Sequence, residues 1–262
     1  MKILPKKSLG QNFLVDQNIL NNIADLGKIN KDDIVIEVGP GTGNLTEKIL
    51  DKKPKNLIVI EKDKRLAEYL QKKFKQEIEV INQDILNFSF QNIEDRIIIF
   101  GNLPYNISTQ ILSKWIKIKN LEKYFKRFIL MFQKEVADRI VAQDNSKNYG
   151  RLSIISNWKM NIKKVMDIDA KKFYPIPKIN SSLLIFEPKK KFYNLKNPKN
   201  LEHLTNVFFN QRRKMIKKPM KILFKNFEKI AEELSLDLNS RPQNLTNITY
   251  YKLCSIYEKS IK

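Results

Sequence analysis

Five short runs rich in isoleucine, valine and phenylalanine punctuate the first half of the chain. They are DIVIEV at 33–38, NLIVIE at 56–61, IEVINQD at 78–84, RIIIFGN at 96–102 and RFILMFQ at 127–133. Little polar alternation interrupts them, as suits strands buried on both faces of a parallel sheet. Helix-patterned stretches separate them: 43–52, opening at Gly43-Asn44, then 63–74 and 107–119. Such strand–helix alternation predicts a doubly wound α/β sheet. Two further runs, LSIISNW at 152–158 and SSLLIFEP at 181–188, are expected to add strands at one edge, as an antiparallel pair. After Pro188 the pattern changes. KKKFYNLKNPKN reads as a linker, and apolar spacings beginning at Leu201, Phe227 and Leu253 predict helices. The expected division is an α/β domain over 1–188 and a small all-α domain over 189–262.

Composition narrows the chemistry. Cys254 is the only cysteine and His203 the only histidine among 262 residues. An internal disulfide, a Cys/His zinc site and a relay of two histidines are therefore excluded, and no metal site is expected. Cys254 falls in the apolar spacing Tyr250, Leu253, Cys254, Tyr257, which reads as a small buried hydrophobe rather than a nucleophile. No apolar run approaches the roughly 18 residues of a membrane span. The opening MKILPKKSLGQNF lacks the apolar core of a secretory signal. A cytoplasmic protein without a membrane partner is expected, and a monomer, since no extra amphipathic surface is evident. The formal net charge is +21. Lysine-rich codon bias accounts for part of it but not for its distribution. Residues 189–262 carry 17 basic against 6 acidic side chains, whereas residues 1–188 carry 32 against 22. A basic field of this kind attracts polyanions, nucleic acid first.

The first strand runs into Glu37-Val38-Gly39-Pro40-Gly41-Thr42-Gly43-Asn44. Glycines let the backbone turn sharply and approach a ligand, while the following helix offers free N–H groups. The dinucleotide fingerprint G-x-G-x-x-G would need glycine at 44, where Asn44 stands. The loop is thus nucleoside-binding in style but a poor match to NAD, and alone it serves equally as a structural turn. The next two strands add weight. One ends in Glu61, about 20 residues past the loop, where a carboxylate accepts ribose hydroxyl hydrogens. The other ends in Asp84, suited to accept from an adenine amino group. All three features fall at the carboxyl ends of strands, where open α/β sheets bind ligands.

The fourth strand ends in Asn102-Leu103-Pro104-Tyr105. Methylating an exocyclic amine requires a delocalised nitrogen lone pair to move toward tetrahedral geometry. Acceptors on its two N–H bonds favour that change. Asn102 offers a side-chain oxygen, Leu103 a backbone carbonyl held by rigid Pro104, and Tyr105 a face for a stacked purine. No ionised base is needed, which fits a chain without a catalytic histidine.

Longer motifs carry a resemblance: Lys7-Ser8-Leu9-Gly10-Gln11-Asn12-Phe13-Leu14, the Glu37–Gly43 loop, Gly101-Asn102-Leu103-Pro104-Tyr105-Asn106, Phe132-Gln133-Lys134-Glu135-Val136, Tyr149-Gly150-Arg151-Leu152-Ser153, Phe173-Tyr174-Pro175 and Gln211-Arg212-Arg213-Lys214. Over almost its whole length the chain resembles the KsgA-type ribosomal RNA small-subunit adenine dimethyltransferases. The resemblance implies a Rossmann-like S-adenosylmethionine-dependent methyltransferase sheet, with a basic, RNA-binding helical domain at the C-terminus. Asn12 and Leu14 would lie over S-adenosylmethionine, which Gly39, Gly41, Glu61, Asp84 and Asn102 would contact. Asn102, Leu103, Pro104 and Tyr105 would form the catalytic group around the target adenine, with Phe173 stacked on its other face. The implied substrate is two adjacent adenines in the 3′-terminal hairpin of 16S rRNA, each methylated twice in a pre-ribosomal small subunit. Arg212, Arg213 and Lys214 would contact RNA phosphates.

Two residues depart from the family pattern. Ile176 stands between Pro175 and Pro177 and is expected to loosen that loop. Pro219 is expected to break or kink the helix after Lys214. Two other readings remain: a 23S rRNA methyltransferase of the macrolide-resistance type, and a ribosome-assembly factor in which methyl transfer is dispensable. The Gln211–Lys214 motif and the helical C-terminal domain favour the small-subunit reading.

Overall fold

A computed structural model of the chain describes residues 4–6, 9–90, 93 and 96–261. Lys7 and Ser8 of the N-terminal motif lie outside the described residues. The chain forms two compact units: Met1–Ala137 with Asn161–Pro188, and Asp138–Met160 with Lys189–Lys262. The exit at Pro188 coincides with the change in sequence pattern. The excursion over 138–160 carries no compositional mark.

In chain order the first unit holds β1 (Phe13–Leu14), α1 (Gln17–Leu26), β2 (Ile34–Val38), α2 (Asn44–Leu50), β3 (Asn56–Glu61), α3 (Lys64–Phe74), β4 (Glu79–Asn82), β5 (Ile97–Asn102), α4 (Ser108–Ile116), α5 (Leu121–Tyr124) and β6 (Phe125–Gln133). Helix α6 (Lys134–Ile140) leads into the second unit and α7 (Arg151–Lys159). The chain then returns through β7 (Met160–Ile168), β8 (Phe173–Tyr174) and β9 (Ser181–Pro188). Seven strands form one sheet in the order β4-β3-β2-β5-β6-β9-β7, and β1 pairs with β8 separately. Strands β4, β3, β2, β5 and β6 are mutually parallel, whereas β9 runs antiparallel to β6. The order reverses between β2 and β5, which opens a crevice at their carboxyl ends.

Burial on both faces explains the unalternating runs. Ile97, Ile98, Ile99 and Phe100 of β5 are all fully buried. Ile98 and Phe100 join a core with Leu20, Ile23 and Ala24 of α1, Ile49 of α2 and Leu70 of α3. On another side, Trp115 of α4 packs edge-on against Phe90 and Phe128. Each fully buried aliphatic or aromatic side chain contributes about 1.5–3 kcal/mol. Helix starts are capped as their sequences suggest. Asp16 accepts from the N–H groups of Asn18 and Ile19, both at 3.1 Å.

One expected strand is a helix. LSIISNW lies in α7, whose Ser153, Ile154, Ile155, Ser156, Trp158 and Lys159 are all buried. A helix buried nearly all round has no polar face, so its 3.6-residue period is invisible in the sequence. Its start is fixed by the Gly150 N–H donating to Ser153 Oγ at 3.1 Å. The edge strand is instead β7, whose mixed sequence MNIKKVMDI reflects partial exposure. The SSLLIFEP expectation holds as β9.

The second unit also contains α8 (Pro198–Phe209), α9 (Lys217–Leu223), α10 (Phe227–Glu233) and α11 (Asn247–Ser260). Leu201, Leu204, Phe208, Ile216, Met220, Tyr250, Leu253 and Cys254 form its interior. Burial pushes the Cys254 thiol up to about 12, so it is an inert hydrophobe. Tyr251 Oη donates to the Ile154 carbonyl at 2.8 Å, tying α11 to α7. Pro219 does not kink a continuing helix. α8 ends at Phe209, and Pro219 sits in the first turn of α9, where a missing N–H costs nothing. Among the described residues no helix is long and apolar enough to cross a membrane.

Gly43 caps α2 with φ +80°, and a Cβ there would lie 2.6 Å from the Phe74 ring. Gly43→Ala is expected to lower stability by about 1–3 kcal/mol, read as a drop in denaturant midpoint at unchanged slope.

Candidate active site

The residues expected to hold a cofactor or to react line one cleft. They are Asn12, Leu14, Gly39, Gly41, Glu61, Asp84, Asn102, Leu103, Pro104 and Tyr105. Glu61 is the last residue of β3 and Asn102 the last of β5, while Asp84 follows β4.

The loop after β2 needs its glycines for two reasons. Gly39 and Gly41 have φ of +67° and +60°, left-handed values that favour glycine. A Cβ on Gly41 would also lie 2.6 Å from the Phe13 ring. The N-terminal segment therefore rests directly on the loop. Asn44 strengthens this arrangement, its Nδ2 donating to the Leu14 carbonyl at 2.8 Å. The residue that breaks the dinucleotide fingerprint is thus a tie between loop and N-terminal segment.

Three carboxylates line the cleft in different states, and a fourth, Asp63, adjoins Glu61. Glu37 is buried, accepts from Thr46 Oγ1 at 2.6 Å, and lines the cleft. Burial, with a smaller contribution from the Glu61 charge, pushes its carboxyl up to about 7. Glu61 is also raised by burial, partly offset by backbone donors including the Asp63 N–H at 2.8 Å. Asp84 is lowered, chiefly by the Lys62 ammonium at 2.8 Å, and caps a short turn through the Leu86 N–H at 2.9 Å. Asp63 is held at about 2, first by Arg65, whose Nη2 and Nε reach it at 2.7 and 3.2 Å. Gln11 Nε2 also donates to Asp63 at 3.1 Å, while Gln11 Oε1 accepts the Lys6 N–H at 2.7 Å. Asp63 thereby pins the N-terminal segment to the start of α3.

At the reacting end, Asn102 Nδ2 donates to the Asn12 carbonyl at 2.8 Å. That bond fixes which way the carboxamide faces and leaves Oδ1 as the acceptor available to a ligand. The Leu103 side chain is buried, so its backbone is what it offers the cleft. Tyr105 is partly buried and its hydroxyl shares a 2.7 Å hydrogen bond with Ser181 Oγ. Burial raises the Tyr105 phenol, so it stays neutral around neutral pH.

Two of the expected site residues are engaged in packing or hydrogen bonds within the fold. Phe173 does not line the cleft. It is 2% exposed and belongs to the core cluster that includes Leu14, its register partner between β1 and β8. Alternation along β8 leaves Tyr174 exposed instead. Arg212 is spent on the fold of the second unit, donating to the carbonyls of Lys147 and Ser146 at 2.5 and 3.4 Å and to Gln243 Oε1 at 3.2 Å. Arg213 and Lys214 are exposed in the same turn. The expected loosening at Ile176 lies in an exposed stretch, where that side chain is 66% exposed. Sequence reasoning missed Gln11, Asp63 and Ser181. Only Asp63 left a readable signal, as an acidic residue one place before a helix pattern. No group of metal-ligating side chains occurs among the described residues.

The family described as ribosomal RNA adenine dimethylase matches residues 4–260. The chain is 54% identical to ribosomal RNA small subunit methyltransferase A of Pelagibacter ubique over 259 residues, covering 98% of each. Among solved structures it is similar to a dimethyladenosine transferase from Plasmodium falciparum, with TM-score 0.79 and 27% identity over 94% of this chain and 98% of that one. It also shares the fold of the 23S rRNA methyltransferase ErmE, with TM-score 0.69 and 21% identity over 94% of this chain and 99% of that one.

The raised Glu37 carboxyl has a definite pH signature. An acid with a folded value near 7 and an ordinary value of 4.5 favours the folded state only while protonated. Its contribution is present below pH 4.5 and is lost as pH rises to about 7. Glu37→Gln keeps an acceptor for Thr46 and removes the titration. The variant is expected to match wild type in melting temperature near pH 4.5 and to exceed it at pH 8, by up to about 3 kcal/mol.

Proposed function

Because the chain belongs to the ribosomal RNA adenine dimethylase family, we propose that it uses S-adenosylmethionine to dimethylate N6 of two adjacent adenines in the 3′-terminal hairpin of 16S rRNA. The observation that carries the chemistry is the Asn102–Asn12 hydrogen bond, which turns Asn102 Oδ1 into a fixed acceptor at the end of β5.

The cleft suits the donor. Its strand ends present carboxylates to a ligand rich in hydrogen-bond donors, as a nucleoside with a free ribose diol is. Glu61 would take the ribose hydroxyls and Asp84 the adenine amine. Gly39 and Gly41 would allow close backbone approach, with Asn12 and Leu14 over the top. Bound there, S-adenosylmethionine supplies an electrophilic methyl group on a sulfonium.

The remaining work falls to the chain. Asn102 Oδ1 and the Leu103 carbonyl accept the two N–H bonds of the target amine, drawing its nitrogen toward tetrahedral geometry. Pro104 holds that carbonyl in place. Tyr105 stacks on the purine, which must leave its own stack to reach the site. Proximity and alignment supply the rest of the rate. As the new N–CH3 bond forms and the sulfonium C–S bond breaks, the nitrogen sheds one proton to solvent and regains its lone pair; one N–H remains, so a second round is open to it with a fresh donor.

The unit of residues 1–137 and 161–188 serves as the catalytic domain, and that of residues 138–160 and 189–262 as the RNA-binding domain. Arg213 and Lys214 contact phosphates, and Arg212 shapes the turn that presents them. The substrate is a pre-ribosomal small subunit, met in the cytoplasm by a monomer.

The decisive test is transfer of labelled methyl from S-adenosylmethionine to small subunits lacking the hairpin methylation. Wild type should yield N6,N6-dimethyladenosine and Asn102→Ala none, with cofactor binding reduced less than activity. Label entering large-subunit RNA alone would overturn the substrate assignment. Arg213→Ala/Lys214→Ala should weaken RNA binding and lower the log–log salt slope by about 1–2. An unchanged slope would remove these side chains from the interface.

A further inference from the structure

The SSLLIFEP strand was singled out for its apolar core, yet its first residues point to the reaction. In the β6–β9 register Ser181 lies opposite Gln133 and Ser182 opposite Phe132. Ser181 is fully buried, and its hydroxyl shares the 2.7 Å bond with the Tyr105 hydroxyl. The residues on either side are anchored elsewhere. The Asn180 carbonyl accepts the Lys134 N–H at 2.9 Å, and Asn180 Oδ1 accepts the Ala170 N–H at 3.0 Å. Ser182 Oγ donates to Asp167 Oδ1 at 2.6 Å, and Asp167 in turn pairs with Lys164 at 2.7 Å and with Lys134. Ser181 therefore stands on a rigid post.

We propose that Ser181 is a positioning residue for the second methylation: by holding the Tyr105 hydroxyl it fixes the plane of the ring against which the target adenine stacks. This rests on the reading in which Tyr105 is that stacking platform. Stacking by itself needs no hydroxyl, because phenylalanine offers the same face. A restraint at the far end of the ring limits both side-chain torsions and so sets the orientation of the base relative to Asn102 and Leu103. In the first transfer, two N–H bonds also orient the amine. In the second, one N–H remains, so the ring carries more of the alignment. A base that tilts freely loses more in the second step than in the first.

The test uses the full-length enzyme on unmethylated small subunits, with nucleoside analysis through the time course. Ser181→Ala and Tyr105→Phe should each raise the ratio of N6-monomethyladenosine to N6,N6-dimethyladenosine several-fold. Each should lower kcat by about three- to tenfold, the scale of one lost hydrogen bond, and leave KM for S-adenosylmethionine unchanged. The double variant should be no worse than either single one. Ser181→Thr should restore the wild-type ratio. An unchanged ratio in Ser181→Ala, or additive losses in the double variant, overturns the proposal. Should Ser181→Ala fail to fold, Tyr105→Phe removes the same bond from the other side and its ratio decides. Tyr105→Ala separates the two claims: if it stays fully active, the stacking reading itself fails, whatever Ser181 does.

Discussion

Strands β2 and β5 lie side by side, yet the chain departs from them to opposite halves of the sheet. That reversal is the constraint on which the rest depends. Loops leaving neighbouring parallel strands in opposite directions cannot fill the space between them, so a crevice is unavoidable. The glycine loop after β2 and the Asn102–Tyr105 segment after β5 face each other across it because the register pairs Val38 with Gly101. The two segments to which the proposed reading gives donor binding and amine alignment are brought together by backbone pairing before any side chain contributes.

The N-terminal segment completes the crevice from the other side. Its hold is distributed: Gln11 on Asp63, Asn12 on Asn102, Phe13 on Gly41 and Leu14 on Asn44. Every link joins residues distant in sequence, and in three of the four both residues line the cleft. Donor binding and the orientation of the Asn102 acceptor are therefore mechanically joined. A disturbance of the segment reaches both.

What could be read from sequence follows from how local each cause is. Parallel strands buried on both faces leave continuous apolar runs, so β2 to β6 were legible to within two residues at most ends. The place of Glu61, Asp84 and Asn102 in one cleft was legible because strand ends are where such sheets form their crevices. The burial of Phe173 was not legible, because a two-residue strand gives no alternation long enough to tell the inward side chain from the outward one. The α7 helix was misread because complete burial removes the polar face that marks a helix. The pairings of Gln11 with Asp63 and of Ser181 with Tyr105 were invisible for a third reason. The partners lie 52 residues apart in the first and 76 in the second, and no local pattern encodes such a pairing.

The excursion of the chain at 138–160 bears on how the protein comes into being. Helix α7 is synthesised before α8 and α11, yet it packs against both, and its Ile154 carbonyl accepts the Tyr251 hydroxyl of α11. Strands β7, β8 and β9 are made between α7 and these partners. Neither unit is a contiguous stretch of gene. The helical unit therefore cannot be exchanged, deleted or grafted by a single crossover at Pro188 without stranding α7, which ties the evolutionary fate of the two units together.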